Sequence, residues 1–354
     1  MAWRNKIVPV LFLLGLGVLM VYDASSASAA RDFGDKFYFL KEQLKWVILG
    51  FMGMALISTI NYKILYKLSP IIIIGSIISL ILVFLPGIGV KAYGASRWIN
   101  LGFTVIQPSE FAKLALIIYL SAWFSSKEKG RLLAFLLLVG IIVGLILLQP
   151  DMGTAIIMAG TAAVLYFLSE APVWHFLGLV PVVAAGTAFL AIISPYRLKR
   201  LTSFLDSGTD PLGASYHIRQ ALIAIGSGGL FGLGLGNSRQ KYSYLPEATT
   251  DSIFAIIGEE LGFLGAVFVI AVFIFFIISG IKIAANCKDS FGRLLAAGIV
   301  SWLTIQILIN LGAMAALIPL TGVPLPFISY GGSALVVELA GVGILLNIAK
   351  SSGA

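Results

Sequence analysis

Charge is the scarcest thing in this sequence. Only 11% of residues are Asp, Glu, Lys or Arg and 59% are hydrophobic, whereas a soluble domain carries roughly 25% charged residues. With a mean hydropathy of +1.01, the bilayer must be the main solvent. A single domain of packed helices over residues 1–354 is expected. Cysteine is nearly absent: Cys287 stands alone, which excludes an intrachain disulfide and leaves the redox compartment unread. Histidine is confined to His175 and His217. On the topology below they fall at opposite ends of one span, so neither a His-based metal site nor a Ser/His/Asp triad is supported. A lone His beside an apolar helix is more often a packing residue. No GxxxxGK[ST] loop occurs, so nothing here binds and hydrolyses a nucleotide. Internal repeats, a low-complexity tail and a soluble domain of useful size are missing as well.

What is present is a series of long apolar runs. A spanning helix needs about 20 mostly apolar residues. Ten are expected, near 7–27, 44–62, 69–86, 107–124, 131–148, 152–169, 172–194, 252–281, 292–318 and 332–349. The first run continues past Met20 into Val21 and Tyr22 without a small-residue cleavage site, so it reads as a span and not as a signal peptide. Lys and Arg set the orientation. With the N-terminus inside, the inner segments hold Arg4, Lys6, Lys63, Lys67, Lys127, Lys129, Arg131, Lys282, Lys288, Arg293 and Lys350. The short outer loops hold Arg31, Lys36, Lys41, Lys45, Lys91 and Arg97. Both termini are then cytoplasmic, and a large extracytoplasmic loop, about 195–250, lies between spans seven and eight. Positive loops explain the net charge of +8 better than nucleic acid does. The large loop is itself basic, with Arg197, Lys199, Arg200, Arg219, Arg239 and Lys241, which points to an anionic ligand.

That loop is also rich in glycine, at 226, 228, 229, 232, 234 and 236. No strand precedes them, so they read as a flexible or re-entrant segment and only weakly as a dinucleotide fingerprint. Just before them, Ile218, Ala221, Leu222 and Ile225 fall on one helical face, which suits a short helix at the outer membrane surface.

Ionisable residues within spans are functional candidates, because burying them costs at least a few kcal/mol. Glu110 and Lys113 share a face of span four. They read equally well as a neutralising structural pair and as a cavity wall that meets a phosphate. Asp151, in Gln149-Pro150-Asp151-Met152-Gly153-Thr154, suits an N-cap for span six. Glu259 and Glu260 project about 100° apart on span eight, so at least one faces a polar interior, and Glu338 in span ten is similar. Asp251 opens span eight, where the positive helix end favours a carboxylate, with Glu247 and Pro246 just before it. A cap, a metal site and acid/base chemistry all remain open for that pair.

Taken together, the motifs resemble the SEDS family (shape, elongation, division and sporulation) almost from end to end. They are Gly94-Ala95-Ser96-Arg97-Trp98-Ile99, Gln107-Pro108-Ser109-Glu110 with Lys113, the Asp151 string above, Tyr196-Arg197-Leu198-Lys199-Arg200 and Phe204-Leu205-Asp206. Then come Gly234-Leu235-Gly236-Asn237-Ser238, Tyr244-Leu245-Pro246-Glu247-Ala248 and the proline-rich run from Pro319 through Ser329 to Ser333. Each string is short, but their order and spacing are specific. Tyr38-Phe39-Leu40 with Gln43 and the run from Tyr196 to Gly262 look more like the division and sporulation branch (FtsW and SpoVE) than the elongation branch (RodA).

The resemblance implies an all-α polytopic membrane protein of about ten transmembrane helices that joins the disaccharide units of lipid II into glycan strands. It puts the family's essential aspartate at Asp251, as general base. It implies Arg97, Glu110, Lys113, Arg197, Arg200, Glu247 and Ser329 as substrate-binding residues, the cations meeting the pyrophosphate; for Ser329, in the proline-rich loop, a purely structural role is at least as well supported. The family usually has His and Thr before the aspartate and an aromatic after it; here Thr250 keeps the Thr, while Thr249 stands in place of the His and Ser252 in place of the aromatic. No motif demands a metal, although a divalent cation (Mg2+ or Mn2+) would shield the pyrophosphate. The implied partners are a class B penicillin-binding protein (a transpeptidase), other divisome proteins and membrane lipid, with no nucleic acid. The implied place is the bacterial plasma membrane at the division septum. A lipid II flippase, a non-catalytic division scaffold and an ion transporter are the rival readings.

Overall fold

The computed structural model describes residues 7–92, 95–102, 104–126, 132–176, 178, 204, 214–242 and 245–352. It is an all-α bundle with one small sheet. Helices α1 (Val8–Phe33), α2 (Tyr38–Thr59) and α3 (Lys63–Leu82) come first. Strands β1 (Gly89–Ala92), β2 (Ala95–Asn100) and β3 (Val105–Ile106) follow. Then come α4 (Pro108–Ser125), α5 (Leu132–Leu148), α6 (Met152–Leu168), α7 (Ala214–Ser227), α8 (Ile253–Asn286), α9 (Ser290–Met314) and α10 (Gly332–Ser352).

Helix ends follow local chemistry. Pro108 opens α4, where its missing amide hydrogen would be unpaired in any case. Asp151 caps α6 by accepting from the Thr154 amide, and Asp289 caps α9 by accepting from Gly292. Gly34, with φ 71°, closes α1 by donating its N–H to the Ala30 carbonyl. Several helices outrun the expected spans. α1 continues to Phe33, α2 starts at Tyr38, α3 starts at Lys63, and α8 continues to Asn286. The added turns carry Arg31, Lys41, Lys63, Lys67 and Lys282. Counting apolar residues misses helix that projects into headgroups and water.

Among the described residues, five helices are long and apolar enough to cross a membrane: α1, α3, α8, α9 and α10. α5 and α6 are apolar but shorter, at 17 residues each. The expected span near 172–194 falls almost wholly outside the described residues. The core lies among α4, α9, α10 and the first part of α8, whose side chains are mostly buried. The outer helices bury one narrow stripe. α5 buries Phe135, Ile142 and Ile146 while Leu133 and Leu137 are exposed, and α3 buries Ile73 and Leu80 while Ile71 and Ile74 are exposed. Such faces belong against lipid.

The three strands form an antiparallel meander in the order β1-β2-β3, with Gly89 opposite Ile99 and Ile99 opposite Ile106. Hydropathy gave no warning of this sheet, since each strand is too short to leave a pattern. Between helices, small residues allow close approach, as expected where apolar contact alone gives no drive. A Cβ on Gly343 of α10 would lie 2.7 Å from the Met54 carbonyl oxygen of α2.

Candidate active site

Residues 319–331 organise this end of the bundle. Pro319, Pro324 and Pro326 prevent regular helix, and irregular backbone at membrane depth is tolerated where protein covers it. The loop is covered. Leu325, Phe327 and Ile328 are buried, and Phe327 has φ 64°. Its amide donates to Glu338 Oε2 at 2.9 Å, and its ring meets Phe276 edge-on at 5.6 Å between centroids. Those contacts offset the backbone strain of a non-glycine residue at positive φ.

The turn that carries Asp251 is held by this loop and by α9. Asn310 of α9 donates through Nδ2 to the Val323 carbonyl and to the Asp251 carbonyl, both at 2.8 Å. Ser329 donates its hydroxyl to the Thr250 carbonyl at 2.6 Å and accepts from the Leu325 amide at 2.8 Å. The Tyr330 amide donates to the Thr249 carbonyl at 2.8 Å. Three successive carbonyls, of Thr249, Thr250 and Asp251, are therefore gripped by α9 and the loop. Beside them, Gly322 has φ 73°, and a Cβ there would sit 3.5 Å from Asp251 Oδ2, so the carboxylate lies against the bare face of a glycine. Burial, with Glu42 and Tyr38 nearby, pushes the Tyr330 phenol up to about 12.

Glu247 begins the turn at φ 49°. It is exposed, and its Oε2 accepts from the Thr250 hydroxyl at 2.9 Å. Its carbonyl takes the amides of Thr250 and Ser252. Ser252 is fully buried; its hydroxyl is 3.0 Å from the Pro246 carbonyl and 2.5 Å from Nε2 of His217, on α7.

The other expected site residues have protein partners. Glu110 and Lys113 pair at 2.8 Å with almost no exposure. Lys113 also donates to Gln306 Oε1 at 3.1 Å and lies 5.2 Å from the Trp302 ring centre. Gln306 in turn donates to Glu338 Oε1 and to the Pro324 carbonyl, each at 3.1 Å. The pair therefore supports the proline loop from below. Arg97, on β2, donates to the carbonyls of Gln149 (3.0 Å) and Pro150. It holds the turn that presents Asp151, whose carboxylate accepts from Thr154 and Gln107. Next to it, a Cβ on Gly153 would meet Val323 at 2.4 Å. Ser329, expected to bind substrate, is buried with both hydroxyl functions engaged, so here it holds the Thr250 turn. Arg197 and Arg200 lie outside the described residues. Among the described residues, no group of three His, Cys, Asp or Glu side chains is placed to hold a metal ion. Gln306 and Asn310 escaped the sequence reading. Their signal was available: two amides four residues apart on one face of an apolar helix.

The glycine run is docked against α8. Gly262, with φ 68° and ψ −170°, breaks α8. The break strands backbone groups, and the run takes them up. Leu233 and Gly234 donate to the carbonyls of Glu259 and Glu260, each at 3.0 Å. Phe263 and Leu264 donate to Gly229 (2.8 Å) and Leu230 (3.1 Å). Only glycine permits this approach, since a Cβ at Gly232 would lie 2.1 Å from the Glu260 carbonyl oxygen. Both carboxylates join in. Glu259 accepts from the Arg239 amide and the Ser238 hydroxyl, and Glu260 accepts from the Gly236 and Ser238 amides. Lys241 bridges Glu260 (3.0 Å) to Asp23 of α1 (2.8 Å). Burial pulls the Lys241 ammonium down, but its hydrogen bonds to Asp23 and Glu260 outweigh this and leave it above the ordinary lysine value.

Comparison with known proteins agrees along the whole chain. Residues 4–353 match the family described as cell cycle protein, which comprises FtsW, RodA and SpoVE. Stage V sporulation protein E of Bacillus subtilis (strain 168) is 42% identical over 98% of this chain and 96% of its own length. A "Probable peptidoglycan glycosyltransferase FtsW" of Geobacter sp. (strain M18) is 42% identical over 94% of this chain and 92% of its own. Among solved structures, a chain from a study of how a peptidoglycan synthase complex coordinates polymerization and crosslinking superposes with a TM-score of 0.81. It is 28% identical, over 99% of this chain and 98% of that one. The rod shape determining protein RodA of Thermus thermophilus superposes with a TM-score of 0.73 at 27% identity, over 98% and 96% of the two chains. An Asp251 turn held against the proline loop, and a match from residue 4 to residue 353, lead to one assignment: this chain belongs to the FtsW/RodA/SpoVE family, the SEDS proteins.

Proposed function

We propose that this chain is a peptidoglycan glycosyltransferase that polymerises lipid II at the outer face of the plasma membrane, with Asp251 as general base. The observation that carries the base assignment is the grip on the Asp251 turn. Three consecutive carbonyls are held by Tyr330, Ser329 and Asn310, while the carboxylate faces Gly322. Backbone held this firmly gives a base a fixed position, and a base in position contributes about 10²–10⁴-fold.

In the reaction, a sugar hydroxyl of the acceptor attacks the anomeric carbon of the donor. The new C–O bond forms as the bond to undecaprenyl pyrophosphate breaks, and the hydroxyl proton passes to Asp251. Direct displacement inverts the anomeric centre and needs one carboxylate. Arg197 and Arg200 are proposed to bind the leaving pyrophosphate, since a guanidinium can grip phosphate with two parallel hydrogen bonds. Glu247, exposed beside Asp251, is the nearest candidate for a sugar hydroxyl. Arg97 and the Glu110–Lys113 pair act on the site through the Asp151 turn and the proline loop. The proposed setting is the division septum, with both termini cytoplasmic and a class B penicillin-binding protein as partner.

Purified chain with such a partner and lipid II should form glycan polymer, and Asp251→Asn should abolish it at an unchanged melting temperature. Full polymerisation by Asp251→Asn would overturn the base assignment. Lipid II movement across liposomes without polymer would favour the flippase reading instead.

A further inference from the structure

The three carbonyl contacts grip the Asp251 turn from the side of α9 and the proline loop. The opposite side, where the chain enters α8, is held by different chemistry. Ser252 is fully buried and has a single hydroxyl hydrogen. That hydrogen goes to the Pro246 carbonyl at 3.0 Å. Ser252 Oγ is then the acceptor for His217 Nε2 at 2.5 Å, which puts the imidazole proton on Nε2. His217 stands on α7, and α7 packs directly on α8. The resemblance leads one to expect an aromatic where Ser252 stands. A buried hydroxyl in place of a ring needs partners, and leaving one unmade costs about 1–3 kcal/mol. His217 supplies one.

We propose that His217 is a positioning residue for the glycosyl transfer. Its Nε2–H, acting through Ser252 Oγ, ties the α8 side of the Asp251 turn to α7. The inference rests on the reading of Asp251 as the base. His217 acts through Ser252 and not on the substrate, so its loss changes how well the carboxylate is placed and leaves substrate binding alone. A misplacement of about 1 Å costs about 10²-fold in rate.

The test uses the full chain with its transpeptidase partner and lipid II, measuring kcat and KM. His217→Ala should lower kcat by about 10- to 100-fold with KM unchanged. His217→Gln, whose side-chain amide also carries an N–H, should recover most of that loss. Ser252→Ala should match His217→Ala, and the double variant should lose no more than either single one. Failure of glutamine to rescue, losses that multiply in the double variant, or a change in KM with kcat intact would each overturn the proposal. If His217→Ala does not fold, Ser252→Ala and His217→Gln carry the comparison. Asp251→Asn is run alongside to keep the two readings apart. Activity in that variant removes the base assignment, whereas its inactivity beside an unimpaired His217→Ala removes only the positioning role.

Discussion

At the scale of single residues, the site depends on neutral amides as much as on charges. Asn310 donates to the carbonyls of Asp251 and Val323, so one side chain joins the turn to the loop. Asn310→Leu keeps the volume similar and leaves two inward-facing carbonyls without their donor. Each costs about 1–3 kcal/mol, so a substantial drop in melting temperature is expected, together with a fall in polymerisation rate. A variant that melts earlier but polymerises at the full rate per folded molecule would show that the Asp251 carbonyl needs no anchor. Asp251 itself was legible in the sequence because it stands in a specific string at the start of an apolar run. Asn310 and Gln306 were passed over because an amide in an apolar helix carries no charge to draw attention. Ser329 was open to a structural role as well as to ligand contact, because a short loop string does not say where a hydroxyl points; in the fold both its hydroxyl functions are engaged by protein.

At the scale of elements, α8 and the glycine run form one unit. The sequence showed many glycines, and loose spacing suggested a flexible or re-entrant segment. Their partner could not be read, because the broken helix they satisfy begins 20 or so residues later and its break depends on the φ of Gly262. The unit is locked by Lys241 between Asp23 and Glu260. Lys241→Met would leave the fully buried Glu260 and the partly exposed Asp23 without their cation, and losing one partner of a buried pair costs up to about 3–5 kcal/mol. The lock also has a pH signature. The pKa of Lys241 is raised in the folded chain above the ordinary 10.5. Its contribution is therefore complete below that value and is lost as pH rises through the folded pKa. Thermal unfolding of the purified chain should show stability falling above about pH 10.5, and the slope in that window should be shallower for Lys241→Met. Equal slopes would mean that the lock adds nothing to the folded state.

At the scale of the whole molecule, hydropathy located nearly all the helices, because lipid-facing stripes of Leu and Ile write themselves into composition. It missed their polar ends and the small sheet, where no long apolar run exists. It also could not reveal which helices touch. The α2–α10 seam shows why that matters for function. α10 starts at Gly332, directly after the loop that holds Asp251, so a displacement of α10 is passed to Ser329 and Tyr330. Gly50 and Gly343 both sit in the seam, and their neighbours differ. A Cβ on Gly50 would meet the Leu339 Cδ1 methyl at 2.7 Å and the Val336 Cα only at 3.3 Å, whereas one on Gly343 would meet the Met54 backbone more closely, with the oxygen at 2.7 Å and Cα at 3.1 Å. A methyl group can rotate away, but backbone in a helix cannot. Gly50→Ala should therefore be tolerated, while Gly343→Ala pushes α2 and α10 apart. Overpacking of this kind costs about 1–3 kcal/mol. Gly343 lies about 16 Å along α10 from its first residue, so any loss of polymerisation would reach the site only through the helix. The expected result is that Gly343→Ala lowers both the melting temperature and the polymerisation rate, while Gly50→Ala leaves both near their original values. If the two substitutions behaved alike, the seam would be free to adjust, and the proline loop would take its position from α9 and Glu338 alone.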